Sequence, residues 1–221
     1  MPSRAFGLAL AGFAALGAAV LGAYVYERVQ RAHAPAAAAL PVVPATEPAV
    51  VPTDRPTFTL ADLAGRRHSI TEWDGKGLLI NFWATWCAPC RHEIPLLNRI
   101  QREYASKGIQ VVGIAVDVPK DVQAYVAEVP LDYPLLVGEQ DGIDVAQSFG
   151  INALAFPITA FSDAHGHLLS VHLGELHEPT ARAILAALEG LDAGTLTPAA
   201  ARAAVEAAEA AAPRPGSGAG G

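Results

Sequence analysis

Hydrophobic and polar positions divide the chain into four regimes. From Ala5 to Tyr26 the residues are uncharged and almost wholly apolar. Residues 32–56 are dominated by Ala, Pro and Val and show no period of either kind. From 57 to 190 short apolar runs alternate with amphipathic stretches, and beyond 191 the chain is Ala-rich and low in complexity. In the third regime the periods predict a hairpin over 57–60 and 67–71, turning near Gly65, then a buried strand over 77–83. A helix over 88–106 ends near Gly108 and is followed by a strand over 109–116. A short helix near 120–128, a strand at 133–136 and a helix near 142–149 come next. Strands at 157–161 and 167–172, joined through Asp163 and Gly166, lead to a last helix over 179–189. This alternation predicts an α/β fold, a mixed sheet with helices on both faces.

The prolines at 35, 41, 44, 48, 52 and 56 make residues 32–56 a semi-extended linker with no core of its own. The 57–190 stretch, roughly 135 residues long, suffices for a buried core. In the tail, Thr197-Pro198 starts a helix over 199–211 with almost no large apolar face, and 213–221 are expected to be disordered.

Composition narrows the function. Of 221 residues 52% are hydrophobic, and the net charge is −7, so no basic footprint argues for nucleic acid. Residues 1–31 contain an apolar run whose 22 positions would span ~33 Å as a helix, enough for a hydrocarbon core of ~30 Å. A retained membrane anchor is the expectation. A cleaved signal ending at Ala32-His33-Ala34 competes, although the run exceeds the usual apolar core of such signals. Positive charge at both ends leaves the orientation open.

Only two cysteines are present, and both lie in Trp86-Cys87-Ala88-Pro89-Cys90. A zinc site built of four cysteines and a disulfide-stapled fold are therefore excluded. Three-residue spacing at a helix start puts both thiols on one side, so they can bridge or separate without unfolding. Cys87, at the helix N-terminus, gains from unpaired N–H groups and the positive dipole end that favour a thiolate. It is the expected nucleophile, with Cys90 resolving the mixed disulfide. Trp86 is expected to shield the site. Glu93, one turn beyond Cys90, faces the cysteine side and could take the Cys90 proton; the competing reading is a solvated helical glutamate. His92 is off that face. His165, His167, His172 and His177 complete no recognisable ligand set and read as solvated or core histidines, with no metal expected.

The segment Asn81-Phe-Trp-Ala-Thr-Trp-Cys-Ala-Pro-Cys-Arg-His-Glu-Ile-Pro95 resembles the active-site segment of TlpA/ResA-like membrane-anchored thiol–disulfide oxidoreductases of the thioredoxin-fold superfamily. The resemblance covers 57–190 and the anchor-and-linker layout. It implies a thioredoxin-like sheet with an N-terminal hairpin and a central insertion over 117–149. It also implies that Pro157 is a cis proline bordering the substrate groove, with Phe156 offering backbone groups to a bound strand. Cytosolic thioredoxins carry a buried Asp where this chain has Asn81, and Glu93 could substitute for it. No cofactor beyond the Cys87–Cys90 pair is implied. The implied partners are a protein disulfide substrate, a membrane thiol electron donor and the inner membrane, with the catalytic domain in the periplasm. Cytochrome c maturation and copper-site assembly are the implied settings. A dithiol oxidase or isomerase, a Cu(I)-binding chaperone or docking module, and a peroxidase are the rival readings.

Overall fold

The computed structural model describes residues 52–151 and 155–212, together with Tyr26 and Arg28. The expected anchor, most of the linker, residues 152–154 within the segment before Pro157, and residues 213–221 lie outside the described residues. Among the described residues no helix is long and apolar enough to cross a membrane. Met1–Glu47 and Pro48–Gly221 separate as two units, and the second holds the sheet.

Its centre is a pair of parallel strands, β3 (Gly77–Trp83) and β4 (Ile109–Ala115), in which every residue is buried. Near-continuous apolar runs of this kind, broken only by Asn81 and Gln110, suit strands covered on both faces, where no solvent side calls for alternation. They are flanked by β1 (Thr59–Ala61), β2 (Arg67–Ser69), β5 (Leu135–Val137), β6 (Ile158–Ser162) and β7 (Leu168–Leu173) in the order β2-β1-β5-β4-β3-β6-β7. β3, β4 and β5 run parallel; β1, β6 and β7 pair antiparallel with their neighbours. The expected N-terminal hairpin, β1–β2, thus closes the outer edge beyond β5.

Among the described residues, five α-helices complete this unit: α1 (Ala88–Tyr104), α2 (Pro119–Glu128), α3 (Gln140–Ser148), α4 (Glu178–Asp192) and α5 (Pro198–Ala211). Alternation along β3 decides which meets which face. Leu79 joins Leu97 and Ile100 of α1 and Ile184 and Leu188 of α4. Leu78, Ile80 and Phe82 join Val145 and Ala146 of α3 on the opposite face. α1 runs on through Pro95 and passes into a 3-10 turn, Ala105–Lys107, closed by Gly108 at φ 81°, a left-handed conformation that glycine adopts without steric cost. The stretch 117–149, expected as a central insertion, supplies α2, β5 and α3, so it adds a strand to the sheet rather than a detached lobe.

The folded unit extends past the boundary expected at residue 190. Thr197 caps α5 by accepting the Ala200 N–H at 3.2 Å, and Ala201 and Val205 are buried in the same cluster as α1 and α4. The helix does have an apolar face, but one made of methyl and isopropyl groups. Small side chains allow close approach to α4, so burial needs no Leu or Phe.

Gly113 on β4 is closely packed in the sheet centre. A Cβ there would lie 2.9 Å from the Tyr133 ring, 3.3 Å from Leu135 and 3.5 Å from the Trp83 indole nitrogen. Tyr133 and Trp83 are buried and Leu135 half-buried, so a larger group at this position would have to displace packed side chains. Gly113→Ala is expected to destabilise the domain by about 1–3 kcal/mol, read as a lower urea midpoint at unchanged slope.

Candidate active site

The approach to the cysteines is fixed by hydrogen bonds that bend the chain as it leaves β3. The Thr85 N–H and hydroxyl both donate to one Asp117 carboxylate oxygen, at 2.8 and 2.6 Å. The Cys87 N–H donates to the Ala84 carbonyl at 3.2 Å. Cys87 then serves as N-cap of α1 in extended conformation, with Pro89 in the first turn, where a missing N–H costs nothing.

Cys87 and Cys90 form a disulfide with an S–S distance of 2.03 Å and Cα atoms 5.3 Å apart. The Cys90 N–H donates to Cys87 Sγ at 3.3 Å, so an otherwise orphaned helix donor points at the outer sulfur. Cys87 retains 5% exposure and Cys90 none. Cys87 therefore borders solvent, and Cys90 is sealed.

Trp86 is 67% exposed, and its ring lies 6.2 Å from that of Phe156. Phe156 also packs on the cluster that holds Trp83, Cys87, Cys90 and Ile94. The Phe156–Pro157 peptide is cis. β6 follows immediately, with Ile158 opposite Phe82, so Pro157 stands at the end of the sheet from which β3 leads to the cysteines. Its carbonyl accepts the Gly174 N–H at 2.9 Å. Sequence positions 86, 87, 90, 156 and 157 thus converge on one end of the fold.

Glu93 is 1% exposed, not a solvated helical side chain. Asn81 Nδ2 donates to its Oε1 at 2.7 Å, and the Leu176 N–H donates to its Oε2 at 2.8 Å. Burial pushes its pKa up to about 8; the two hydrogen bonds pull the other way, and the nearby Glu175 adds to the rise. Asn81 Nδ2 also donates to Thr159 Oγ1 at 3.0 Å, which leaves Asn81 Oδ1 with no protein partner. Turned over, the same amide would present that oxygen to a protonated Glu93, so Asn81 suits either charge state of the carboxyl.

Asp117, Thr159 and Leu176 join the site without a clear mark in the sequence. Asp117 carries a weak signal, an acid at a strand end just before a helix-starting proline. Thr159 and Leu176 carry none, since one contributes a hydroxyl inside a strand and the other only a backbone N–H.

The four late histidines part company. His172 is buried, with Nδ1 2.8 and 2.9 Å from the two Glu209 carboxylate oxygens. His167 pairs with Asp163, while the His165 and His167 rings are tilted to one another with centres 6.1 Å apart. His92, with a 70% exposed side chain, lies 3.8 Å from Glu175. Among the described residues no group of three His, Cys, Asp or Glu side chains is arranged to hold a metal ion.

The chain matches the AhpC/TSA family over residues 51–171. It is 34% identical over 122 residues to the thiol-disulfide oxidoreductase ResA of Geobacillus thermodenitrificans, covering 55% of this chain and 68% of that protein. It is 35% identical over 125 residues to the thioredoxin-like protein YneN of Bacillus subtilis, covering 55% and 70%. A secreted thiol-disulfide isomerase of Corynebacterium glutamicum superposes with a TM-score of 0.56 at 25% identity, over 62% of this chain and 84% of that one. With a disulfide at the N-terminus of α1, on a thioredoxin-like sheet, the chain belongs to the AhpC/TSA family and is a thiol–disulfide oxidoreductase related to ResA.

Proposed function

We propose that the chain is a protein-disulfide reductase, tethered to a bacterial inner membrane through residues 5–26 and working in the periplasm. The observation that carries the chemistry is the sealed carboxyl of Glu93, one helical turn beyond a sealed Cys90 and held by Asn81 and Leu176.

In the forward direction the Cys87 thiolate attacks one sulfur of a client disulfide. A Cys87–client disulfide forms, the client S–S bond breaks, and the second client sulfur leaves as a thiolate that takes a proton from water. Cys90 then gives its proton to the Glu93 carboxylate and attacks Cys87 Sγ. The Cys87–Cys90 bond forms and the last client sulfur leaves as a thiolate. Two electrons have passed from the dithiol to the client. A base for this step works best with a pKa near ambient pH, and burial brings Glu93 into that range. The oxidised protein is the product of this step, and a raised proton affinity suits a carboxyl that ends the step protonated. Re-reduction by a membrane thiol donor returns the proton to Cys90.

Trp86 adjoins Cys87 in the chain and Phe156 packs on the cluster that holds Cys87, so the two rings would hold the client strand, whose backbone groups would meet those of Phe156 and Pro157. The exposed Trp86 ring beside the half-buried Phe156 supports a protein client. The haem-attachment thiols of apocytochromes c and the thiols of copper-site assembly proteins are the clients proposed, on the strength of the family resemblance. The apolar run at 5–26 supports the tether.

Cys90→Ser should accumulate a covalent complex with its client through Cys87, released by dithiothreitol and identified by mass spectrometry. Cys87→Ser should capture nothing, and equal silence from both variants would defeat the dithiol mechanism. The reductase direction requires a reduction potential below the roughly −180 mV of protein disulfide isomerase; a more positive value would make the chain an oxidase.

Glu93→Gln should slow resolution of the mixed disulfide by roughly 10²-fold while sparing its formation. Stopped-flow tryptophan fluorescence separates the two phases. The same variant tests the buried proton. Glu93 ionises near 4.5 when unfolded and at about 8 when folded, so the folded state holds the extra proton between those values. Wild-type stability, measured on the oxidised protein by urea unfolding, should fall relative to Glu93→Gln as pH rises through that window. The loss should be up to roughly 1 kcal/mol per pH unit and should level off above the folded pKa.

A further inference from the structure

The N–H that reaches Glu93 belongs to a peptide group gripped on its other edge. The Leu176 N–H and the Glu175 C=O share one planar unit, and in a trans peptide they point in opposite directions. The N–H donates to Glu93 Oε2 at 2.8 Å. The carbonyl lies 3.2 Å from His172 Nε2. His172 Nδ1 in turn faces the Glu209 carboxylate on α5. Both partners of the imidazole are acceptors, so the ring can donate from both nitrogens. The sheet aligns the series: Asn81 lies opposite Thr159, and Thr159 opposite His172, so the three side chains share one row on one face. His172 and Glu209 both lie beyond residue 171, where the family match ends.

We propose that Glu209, acting through His172 and the Glu175–Leu176 peptide, is a positioning residue for the Glu93 carboxyl. Resting on the role given to Glu93 above, this makes the Ala-rich C-terminal helix part of the active-site support. A donor on the Glu175 carbonyl polarises the peptide and strengthens its N–H as a donor to the carboxylate. It also pins the Gly174–Leu176 loop, whose other end is held by the Pro157 carbonyl.

The sign of the effect separates this relay from simple charge removal. The groups that reach Glu93 are Asn81 on β3, itself bonded to Thr159 on β6, Tyr133 ahead of β5, and Glu175 and Leu176 in the loop, where Glu175 is also near His92; Cys90 lies one turn earlier on its own helix. Of the charged groups, Glu175 acts on the carboxyl and Glu209 does not act directly. Removing a distant negative charge would at most make Glu93 more acidic. Losing the grip on the Leu176 N–H would make it less acidic, because that bond favours the charged form.

The experiment is a ¹³C NMR titration of the Glu93 side-chain carboxyl in the oxidised full chain, for wild type, Glu209→Ala and Glu209→Gln. Glu209→Ala should move the Glu93 midpoint alkaline by about half a pH unit or more and speed exchange of the Leu176 amide about tenfold. Glu209→Gln keeps a neutral acceptor of similar size and should shift the midpoint the same way by less. It stands as the deciding variant if the alanine protein does not fold. An unchanged or acid-shifted midpoint in the folded variants would overturn the inference. Resolution kinetics of Glu93→Gln test the underlying reading separately. Wild-type kinetics there, beside an alkaline shift in Glu209→Ala, would remove the role of Glu93 in catalysis and leave the relay standing.

Discussion

A carboxyl group has been taken out of water and given two donors in return. Burying an ionised carboxylate without compensation costs several kcal/mol, so the environment of Glu93 constrains everything built around it. Asn81 must come from β3, the Leu176 N–H from the loop after β7, and the carboxyl from the second turn of α1. These three elements cannot shift independently without stranding a buried carboxyl or an amide. The helix that presents the cysteines is thereby locked in height and rotation against the sheet. Redox geometry and the polar network are one arrangement, since both hang on α1.

The two sulfurs are made unequal by position alone. Cys87 caps the helix and borders solvent; Cys90 lies one turn inside, in contact with the apolar cluster of Trp83, Ile94 and Ala115. Attack from outside meets only the first sulfur, and proton exchange at the second has to pass through protein. In the mechanism proposed above, the sealed carboxyl of Glu93 one turn away would answer that second requirement. The Asp117 clasp on Thr85 holds the turn so that this inequality persists.

Much of this is legible in the sequence because it is written in local periods. The apolar runs at 77–83 and 109–116 read directly as buried central strands. The C-A-P-C pair at a strand–helix junction, with Glu93 one turn on, points to a cysteine-side carboxyl. What stays hidden depends on partners far away in the chain. Thr159 and Leu176 meet Asn81 and Glu93 across 78 and 83 residues, and neither residue type advertises a hydrogen bond. His172 reads as one of four scattered histidines, since its meaning comes from Glu209, 37 positions later. The docking of α5 is hidden for a different reason: its buried face consists of Ala201 and Val205, and apolar periodicity in an Ala-rich segment has almost no contrast.

Strand register acquires a second meaning from the row Asn81, Thr159, His172. In most sheets a one-residue slip is punished by exposing apolar side chains. Here the same slip would also turn Thr159 and His172 to the opposite face, among Leu78, Phe82 and Phe149, and leave the Asn81 amide facing hydrocarbon. A molecule that reaches the compact state with the wrong pairing is therefore penalised on polar as well as apolar grounds. Alignment of the β6–β7 hairpin and competence of the redox centre are judged by a single criterion, so the fold carries its own proofreading step.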